Sequence, residues 1–351
     1  MSDHEPTLDE LLERAKAKTK PEPHVDEAPL GYHLAGVSTM RKAVLEDGRE
    51  VIQWVKTKKD HEDPLAMLRA FRQAIALEPL PVFPAPLGFG YEGWDPDRLT
   101  AYPMGDPHLG MLSWPLETGD DFNLQIARQN LSAATDRLVY LAPPTRDAML
   151  VNLGDYFHAD NPEARTKRSG NSLDVDSRWA KVLHVGVWLL IDLVKKLRTK
   201  HERVFVYIAG GNHDDQSAVM LRVCLGVCFA NDPNVIVDES PSLFGYHRFE
   251  QNLIGITHGH TVKAHDLPLL MAADRAKDWG ETKHRYWLCG HVHHESVKEY
   301  AGCKVETFNT LAAKDAWHHG AGYRANRKMV CDVYHREHGR VLRHEVGVEQ
   351  L

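Results

Sequence analysis

The sequence lacks the features that mark a secreted, membrane-bound or strongly basic protein. It has 5 cysteines, an odd number, and no two of them form a Cys-x-x-Cys pair. The N-terminus has no apolar signal region, which together with the cysteine pattern predicts reduced thiols and a cytoplasmic location. A membrane helix needs about 18 apolar residues, and the most apolar stretch, residues 179–197, is interrupted by His184, Asp192 and three lysines. We therefore expect no membrane insertion.

The chain also has no excess of positive charge. Its 351 residues include 42 basic and 49 acidic side chains, which gives a formal net charge of -7. A nucleic-acid substrate would then have to be held by local basic patches or by metal ions. Internal repeats and low-complexity tracts are absent too, and hydrophobic residues make up 43% of the chain. Length and composition predict one large domain with a smaller appended piece, and they assign no oligomeric state.

Three regions are predicted from local patterns. Residues 1–30 should form a flexible helix and linker, because Thr7 and Glu10 have capping-box spacing and residues 19–29 are rich in proline and acid. Residues 31–95 should form a small α+β unit, in which a hairpin turns at Asp47-Gly48 and a helix covers residues 62–77. Its basic side chains can contact a nucleic-acid backbone or simply face solvent, and the interleaved acidic residues favour solvent. Residues 96–351 form the main domain.

The main domain begins with alternating strands and helices. Apolar runs predict strands at residues 99–104, 148–153 and 204–209, with helices at 121–141, 178–200 and 216–229. This alternation builds a largely parallel sheet. After residue 234 the pattern changes to short strands with one helix at 265–279, which predicts a second sheet packed on the first. We therefore expect an α/β fold with two packed mixed β-sheets flanked by helices.

Histidine and aspartate are concentrated in short turns that follow the predicted strands. Asp106 and His108 come after the first strand and Asp155 after the second, in positions where open α/β sheets collect ligands. The residues with metal-binding side chains in these turns are Asp106, His108, Asp155, Asn212, His258, His291 and His293. Oxygen and nitrogen donors without a thiolate suit Mn²⁺, Fe²⁺ or Zn²⁺. Seven ligands are about what two divalent cations need, and two such cations clamp a phosphoryl group and activate the attacking water.

The alternative is that these histidines are ordinary surface residues, since the chain has 22 of them. Polar residues that end several separate apolar strands are hard to explain by packing, so the pattern favours a metal site. The same reasoning gives the opposite prediction for histidines without a strand before them. We expect surface positions for His294, His318, His319, His335 and His338.

The order of these motifs resembles that of the calcineurin-like metallophosphoesterases. The matching motifs are Asp106-x-His108, Gly154-Asp155, Gly211-Asn212-His213-Asp214, His258 and Gly290-His291-x-His293. The resemblance implies a four-layer α/β/β/α sandwich and two metal ions, Mn²⁺ by preference and otherwise Zn²⁺ or Fe²⁺. It also implies one ion on Asp106, His108, Asp155 and His293, and the other on Asp155, Asn212, His258 and His291.

The same resemblance implies roles for three further residues. His213 would stabilise or protonate the leaving group and would be oriented by Asp214. His158 stands where the superfamily often has an aspartate, and its turn looks like that of the nuclease subunit of the SbcCD type, in which a histidine here contributes to nuclease action. The overall layout also resembles phosphoesterases carried by phages and prophages. The alternative is that the His158 side chain only covers the sheet, and the pattern favours the catalytic role.

The substrate is the least determined part of the prediction. Three functions are compatible with the sequence: a nuclease or phosphodiesterase acting on DNA, a phosphodiesterase or phosphatase acting on small nucleotides or cyclic nucleotides, and a non-enzymatic metal-binding scaffold. The segment after His158 carries Arg165, Lys167 and Arg168, which can seat a phosphodiester backbone or close over one nucleotide. The nuclease-like turn favours DNA, and we expect phosphodiester hydrolysis.

Overall fold

The computed structural model describes the backbone of residues 38–44 and 50–56, and residues 93–166 and 170–351 with their side chains. The chain divides into two compact units, Met1–Leu80 and Pro81–Leu351. In the first unit, strands β1 (Ser38–Val44) and β2 (Glu50–Lys56) pair antiparallel, which confirms the predicted hairpin. The helix and linker predicted within residues 1–30 and the helix predicted at 62–77 lie outside the described residues.

The second unit contains the remaining strands and all the described helices. Its strands are β3 (Asp95–Met104), β4 (Thr145–Asn152), β5 (Arg203–Ile208), β6 (Val235–Val237), β7 (Gly245–Phe249), β8 (Asn252–Thr257), β9 (His284–Cys289), β10 (Ser296–Tyr300), β11 (Cys303–Thr307), β12 (Lys328–His335) and β13 (Gly339–Gly347). Its helices are α1 (Pro115–Thr118), α2 (Leu124–Leu141), α3 (Trp179–Arg198), α4 (Asp215–Cys228), α5 (Leu267–Asp274), α6 (Ala276–Glu281) and α7 (Ala316–Gly320).

These strands form two mixed sheets. The first has six strands in the order β13-β12-β3-β4-β5-β6, and β3 to β6 run parallel while β12 and β13 pair antiparallel. The second has the order β10-β11-β9-β8-β7, with parallel β8, β9 and β11 between two antiparallel edge strands. Not all the late strands form the second sheet, because β6, β12 and β13 join the first.

The main core lies between the two sheets. It contains side chains from both, among them Met149 and Val151 of β4 and Ile254 and Ile256 of β8. Helices α2, α3 and α4 contact the first sheet, while Leu267 and Met271 of α5 pack against Trp287 of the second. The unit is therefore a four-layer α/β/β/α sandwich, as predicted. Among the described residues, no helix has both the length and the apolar character needed to cross a membrane.

The prediction of a single helix over residues 265–279 is wrong. The chain forms two short helices, α5 and α6, which meet at Arg275 with φ -125° and ψ 43°, outside the helical region. The Arg275 side chain binds Asp278 of the second helix. Helices α1 and α7 were not predicted either, because helices of 4 and 5 residues are too short to show an apolar period.

Candidate metal centre

The turns that carry the predicted ligands meet at one edge of the sandwich. Strands β3, β4 and β5 run parallel in the first sheet, and β8 and β9 run parallel in the second, so the carboxyl ends within each set lie side by side. The first two turns are also joined directly. His108 N–H donates to the carbonyl oxygen of Asp155 (3.0 Å), and His158 N–H donates to that of Leu109 (3.0 Å).

Two groups of three side chains bring their ligand atoms within 4.8 Å of one another. One is Asp106, His108 and His293, and the other is Asp155, His258 and His291. In the first group, His293 Nε2 lies 3.1 Å from His108 Nε2 and 3.5 Å from Asp106 Oδ1. In the second, His258 Nε2 lies 3.2 Å from Asp155 Oδ2 and 3.0 Å from Asn212 Oδ1. All seven predicted ligands therefore come together.

The carboxylates of Asp106 and Asp155 have different neighbours. Asp106 lies within 3.8 Å of His258 Nδ1 as well as near His293, and it accepts the His291 backbone N–H at 2.9 and 3.0 Å. Asp155 belongs to only one of the two groups. The bridging role of Asp155 that the resemblance implies stays a prediction.

Five of the predicted ligands have a strained backbone. Asp106, His108, Asp155, His291 and His293 have φ between 45° and 73°, in the left-handed region that non-glycine residues rarely adopt. They are five of the seven non-glycine residues with positive φ in the described chain. Such strain persists where the surrounding structure imposes it, and it is concentrated at functional sites.

Two glycines let neighbouring turns approach the carboxylates. A Cβ atom on Gly211 would lie 2.0 Å from Asp155 Oδ1, and one on Gly290 would lie 2.6 Å from Asp106 Oδ2. Both distances are too short for any side chain. Glycine at these two positions therefore permits the packing that collects the ligands.

The residues fit divalent cations. Two imidazole Nε2 atoms 3.1 Å apart have the spacing of two ligands that share one cation at about 2.1 Å from each nitrogen. The described ligand set contains oxygen and nitrogen donors without a cysteine, which suits Mn²⁺, Fe²⁺ or Zn²⁺. His258 Nδ1–H donates to the carbonyl oxygen of Leu153 at 2.8 Å, which leaves Nε2 as its ligand atom.

The pKa values of the ligands are shifted by burial and by one another. Burial disfavours the imidazolium of His258, but the carboxylates of Asp155 and Asp106 outweigh this and raise its pKa to about 10. Burial would raise the pKa of Asp155, yet His258 holds it well below its usual range. Burial, and then the nearby His293 and His213, keep the pKa of His108 well below 6.5. A proton on His258 thus offsets the negative charge of the cluster.

Asp214 holds the turns together and does not orient His213 as expected. Its carboxylate accepts the backbone N–H groups of Gly211, Asp155, Tyr156 and Phe157, at 2.7 to 3.2 Å. The His213 ring instead uses Nδ1 to contact the carbonyl oxygen of His158 at 2.8 Å. Burial and the charge of Asp155 raise the pKa of Asp214 to about 7.

His158 and His213 lie beside the first ligand group. Together with His108 they form a third set whose ligand atoms are within 4.8 Å of one another. The two rings stack with centroids 5.3 Å apart and 22° between their planes. His158 is buried, and burial followed by the charge of His213 lowers its pKa to about 3. His213 is half-buried.

The prediction of a surface position for His318 is wrong. Its ring stacks on the candidate ligand His293 at 4.8 Å, with 23° between the planes, and its Nδ1 lies 2.6 Å from Asp315 Oδ1. Asp315 is also the N-cap of α7 and accepts the His318 backbone N–H. The available signal was Asp315, because aspartate commonly caps a helix N-terminus. It was missed because no strand precedes it.

The other histidines expected on the surface belong to neither ligand group. His294 and His338 are exposed, while His319 and His335 are half-buried. His335 stacks on His338 at 4.4 Å. Of the basic residues in the segment after His158, Arg165 is exposed and donates to the carbonyl oxygen of Gly170, while Lys167 and Arg168 lie outside the described residues.

Comparisons with known proteins find similarity only at the level of structure. No protein-family model matches the chain, and no curated protein matches it. One similar structure is a conserved uncharacterized protein from Streptococcus pneumoniae TIGR4, described as a predicted phosphoesterase, with 14% identity over 71% of this chain and 98% of that chain and a TM-score of 0.29.

Two other similar structures are Vps29 proteins. Vps29 complexed with Zn²⁺ from Entamoeba histolytica has 12% identity over 71% of this chain and 99% of that chain, with a TM-score of 0.31. Vacuolar Protein Sorting 29 from Cryptosporidium parvum has 18% identity over 71% of this chain and 98% of that chain, with a TM-score of 0.30. Similarity this distant says nothing about what the present chain binds or hydrolyses.

Proposed function

We propose that this chain is a metal-dependent phosphoesterase that hydrolyses phosphodiester bonds, with DNA as its favoured substrate. The main support is the pair of adjoining ligand groups, Asp106, His108 and His293 beside Asp155, His258 and His291. Divalent cations held by these residues would polarise the phosphoryl oxygens of a substrate and activate the attacking water. The donor atoms suit Mn²⁺, Zn²⁺ or Fe²⁺, and the resemblance of the motifs favours Mn²⁺.

His213 is the residue we propose for proton transfer. Its backbone N–H donates to Asp155 Oδ1 at 2.8 Å, which holds the residue next to the second ligand group. Its Nδ1–H donates to the carbonyl oxygen of His158, so Nε2 is the atom free to exchange a proton. A histidine in this position can protonate the leaving-group oxygen as the phosphorus–oxygen bond breaks.

An exposed tryptophan next to the centre supports a substrate that carries a nucleobase. The Trp317 side chain is 64% exposed, and its ring is perpendicular to that of His318 with centroids 5.0 Å apart. His318 in turn stacks on His293. Aromatic side chains beside a phosphodiester site are typical of proteins that stack the bases of single-stranded nucleic acid. We propose that Trp317 provides such a stacking surface.

The decisive experiment compares substrates with the Mn²⁺-loaded protein. Hydrolysis rates should be measured on single- and double-stranded DNA, bis-p-nitrophenyl phosphate, p-nitrophenyl phosphate and cyclic nucleotides. We expect cleavage of DNA and of the diester reporter. Diester hydrolysis without DNA cleavage would contradict the choice of DNA, and preference for the monoester would contradict phosphodiester hydrolysis. No turnover of any substrate by protein that binds metal would favour the scaffold.

Trp317→Ala tests the stacking surface. Losing one base–aromatic contact of about 1–3 kcal/mol should raise the KM for single-stranded DNA by about 5- to 150-fold and leave the metal content unchanged. Trp188→Ala is the matched control, because Trp188 is 40% exposed on α3 and belongs to neither ligand group. Equal effects of both substitutions would argue against a role of Trp317 in substrate binding.

A further inference from the structure

We propose that His158 is a positioning residue that acts through His108: its Nδ1 accepts the Nδ1–H of His108 and thereby keeps His108 Nε2 free to bind a divalent cation. The inference rests on the metal centre of the proposed function. It differs from the role expected from the sequence, in which His158 acts on the substrate.

Both ring nitrogens of His108 lie within hydrogen-bond distance of another histidine. Its Nδ1 lies 3.2 Å from His158 Nδ1, and its Nε2 lies 3.1 Å from His293 Nε2. A neutral imidazole carries one proton, so one ring nitrogen is a donor and the other is an acceptor. Whether one ring nitrogen of His108 donates or accepts therefore fixes the role of the other nitrogen.

Only one of the two tautomers of His108 can bind a cation through Nε2. If His158 Nδ1 carries the proton of the shared hydrogen bond, the His108 proton must sit on Nε2, where it faces His293 and blocks the ligand position. If His108 Nδ1 carries that proton, Nε2 has a free lone pair that points to His293 and its neighbours. Histidine ligands in metal sites commonly have their second nitrogen fixed by such a partner, which sets tautomer and ring orientation.

The surroundings of His158 suit this role better than contact with a substrate. Its side chain is 1% exposed, and the backbone is tied to Leu109 while the ring stacks on His213. Its Nε2 is buried and has no hydrogen-bond partner among the described residues. One ring nitrogen of His158 therefore contacts His108, and the ring has no exposed face that a phosphodiester could contact.

Two amide substitutions test whether His158 is needed as a hydrogen-bond acceptor at the Nδ1 position or only as a side chain of similar size. The oxygen of His158→Asn lies about where Nδ1 was, and the amide of His158→Gln lies about where Nε2 was. Calorimetric titration of the metal-free proteins with Mn²⁺ measures the affinity for each of the two ions. We expect His158→Asn to keep both affinities within about threefold and His158→Gln to weaken one ion by about 10- to 100-fold, as for lost partners of ligand histidines.

The outcomes are distinguishable from failure of the proposed function. If the wild-type protein binds no Mn²⁺, the metal centre itself is refuted. If it binds two ions and both variants bind like it, or both weaken alike, the positioning role is refuted and the metal centre stands. Circular dichroism checks that the variants fold. If His158→Gln does not fold, ¹⁵N NMR of the metal-free wild type decides, because the proposal requires the His108 proton on Nδ1 before any cation binds.

Discussion

At the scale of single residues, Asp155 and His213 lie in direct contact but should respond differently to substitution. Asp155→Asn should remove most bound metal and abolish activity, since a neutral amide cannot offset the charge of a cation.

His213→Ala should keep both metal ions and lose turnover by about 10²- to 10⁴-fold, which is typical of a lost acid–base group. Elemental analysis and rate measurements on the purified variants test both statements.

The two variants are controls for each other. Unchanged metal content in Asp155→Asn would refute its assignment as a ligand. Loss of metal from His213→Ala would show that the ring supports metal binding, because alanine keeps the backbone N–H that donates to Asp155 at 2.8 Å.

His258 should make the metal-free protein sensitive to alkaline pH. Its pKa of about 10 lies above the ordinary value of 6.5, so the folded state holds this proton more tightly than the unfolded state. The resulting stability is fully present below about pH 6.5 and is lost as the pH rises through about 10. Because a cation needs the neutral ring, metal affinity should rise over the same interval by up to about tenfold per pH unit.

Urea denaturation and Mn²⁺ titration at several pH values measure these two trends. The control is His258→Gln, which has no proton to lose in this range and should show a smaller change of both quantities. A metal affinity that is constant between pH 7 and 9 in the wild-type protein would contradict the assignment of His258 as a protonated ligand.

At the scale of the elements, the turn after β5 should tolerate no side chain at its second glycine. Gly211→Ala would place Cβ 2.0 Å from Asp155 Oδ1 and 2.3 Å from the Asp155 backbone nitrogen. The turn must move away, so we expect lower metal content and a loss of about 1–3 kcal/mol in the free energy of unfolding. Elemental analysis and urea denaturation provide the two measurements.

Gly280→Ala is the matched control for Gly211→Ala. Gly280 lies in α6, and a Cβ there meets nothing within 4 Å. Alanine should leave metal binding unchanged and raise the free energy of unfolding by about 0.5–1 kcal/mol, because it lowers the freedom of the unfolded chain. Similar losses of metal content and of the free energy of unfolding in both variants would mean that crowding at Gly211 is not the cause of the effect.

At the scale of the whole molecule, a buried ionic cluster joins the two sheets. Asp332 of β12 accepts two hydrogen bonds of 2.7 Å from Arg343 of β13, and Arg343 also binds Glu306 of β11 in the second sheet. Asp332→Ala would remove one of the two buried carboxylates that bind the partly buried Arg340 and Arg343. We expect a loss of about 3 kcal/mol in the free energy of unfolding, with metal content unchanged.

The exposed pair between Asp97 and Arg336 provides the comparison. Its side chains are 52% and 42% exposed at a distance of 3.0 Å, so Asp97→Ala should leave the free energy of unfolding almost unchanged. Urea denaturation of both variants measures the two changes in the free energy of unfolding. A loss below 1 kcal/mol for Asp332→Ala would show that the cluster adds nothing to the joining of the sheets.

The sequence by itself determined the strands and the turns of the second unit. An apolar run followed by Gly, Asp, Asn or His is a local pattern, and the strands predicted at residues 99–104, 148–153 and 204–209 overlap β3, β4 and β5. The ligands could be predicted for the same reason. Each follows a strand, and the carboxyl ends of neighbouring parallel strands meet at one edge.

Only the tertiary structure decided which side chains face one another. Asp214 binds four backbone amides and not the His213 ring, and His318 lies on His293 although 25 residues separate them in the sequence. The assignment of β12 and β13 to the first sheet was decided in the same way. Contacts between distant segments depend on how sheets and short helices pack, and no local period in the chain encodes that packing.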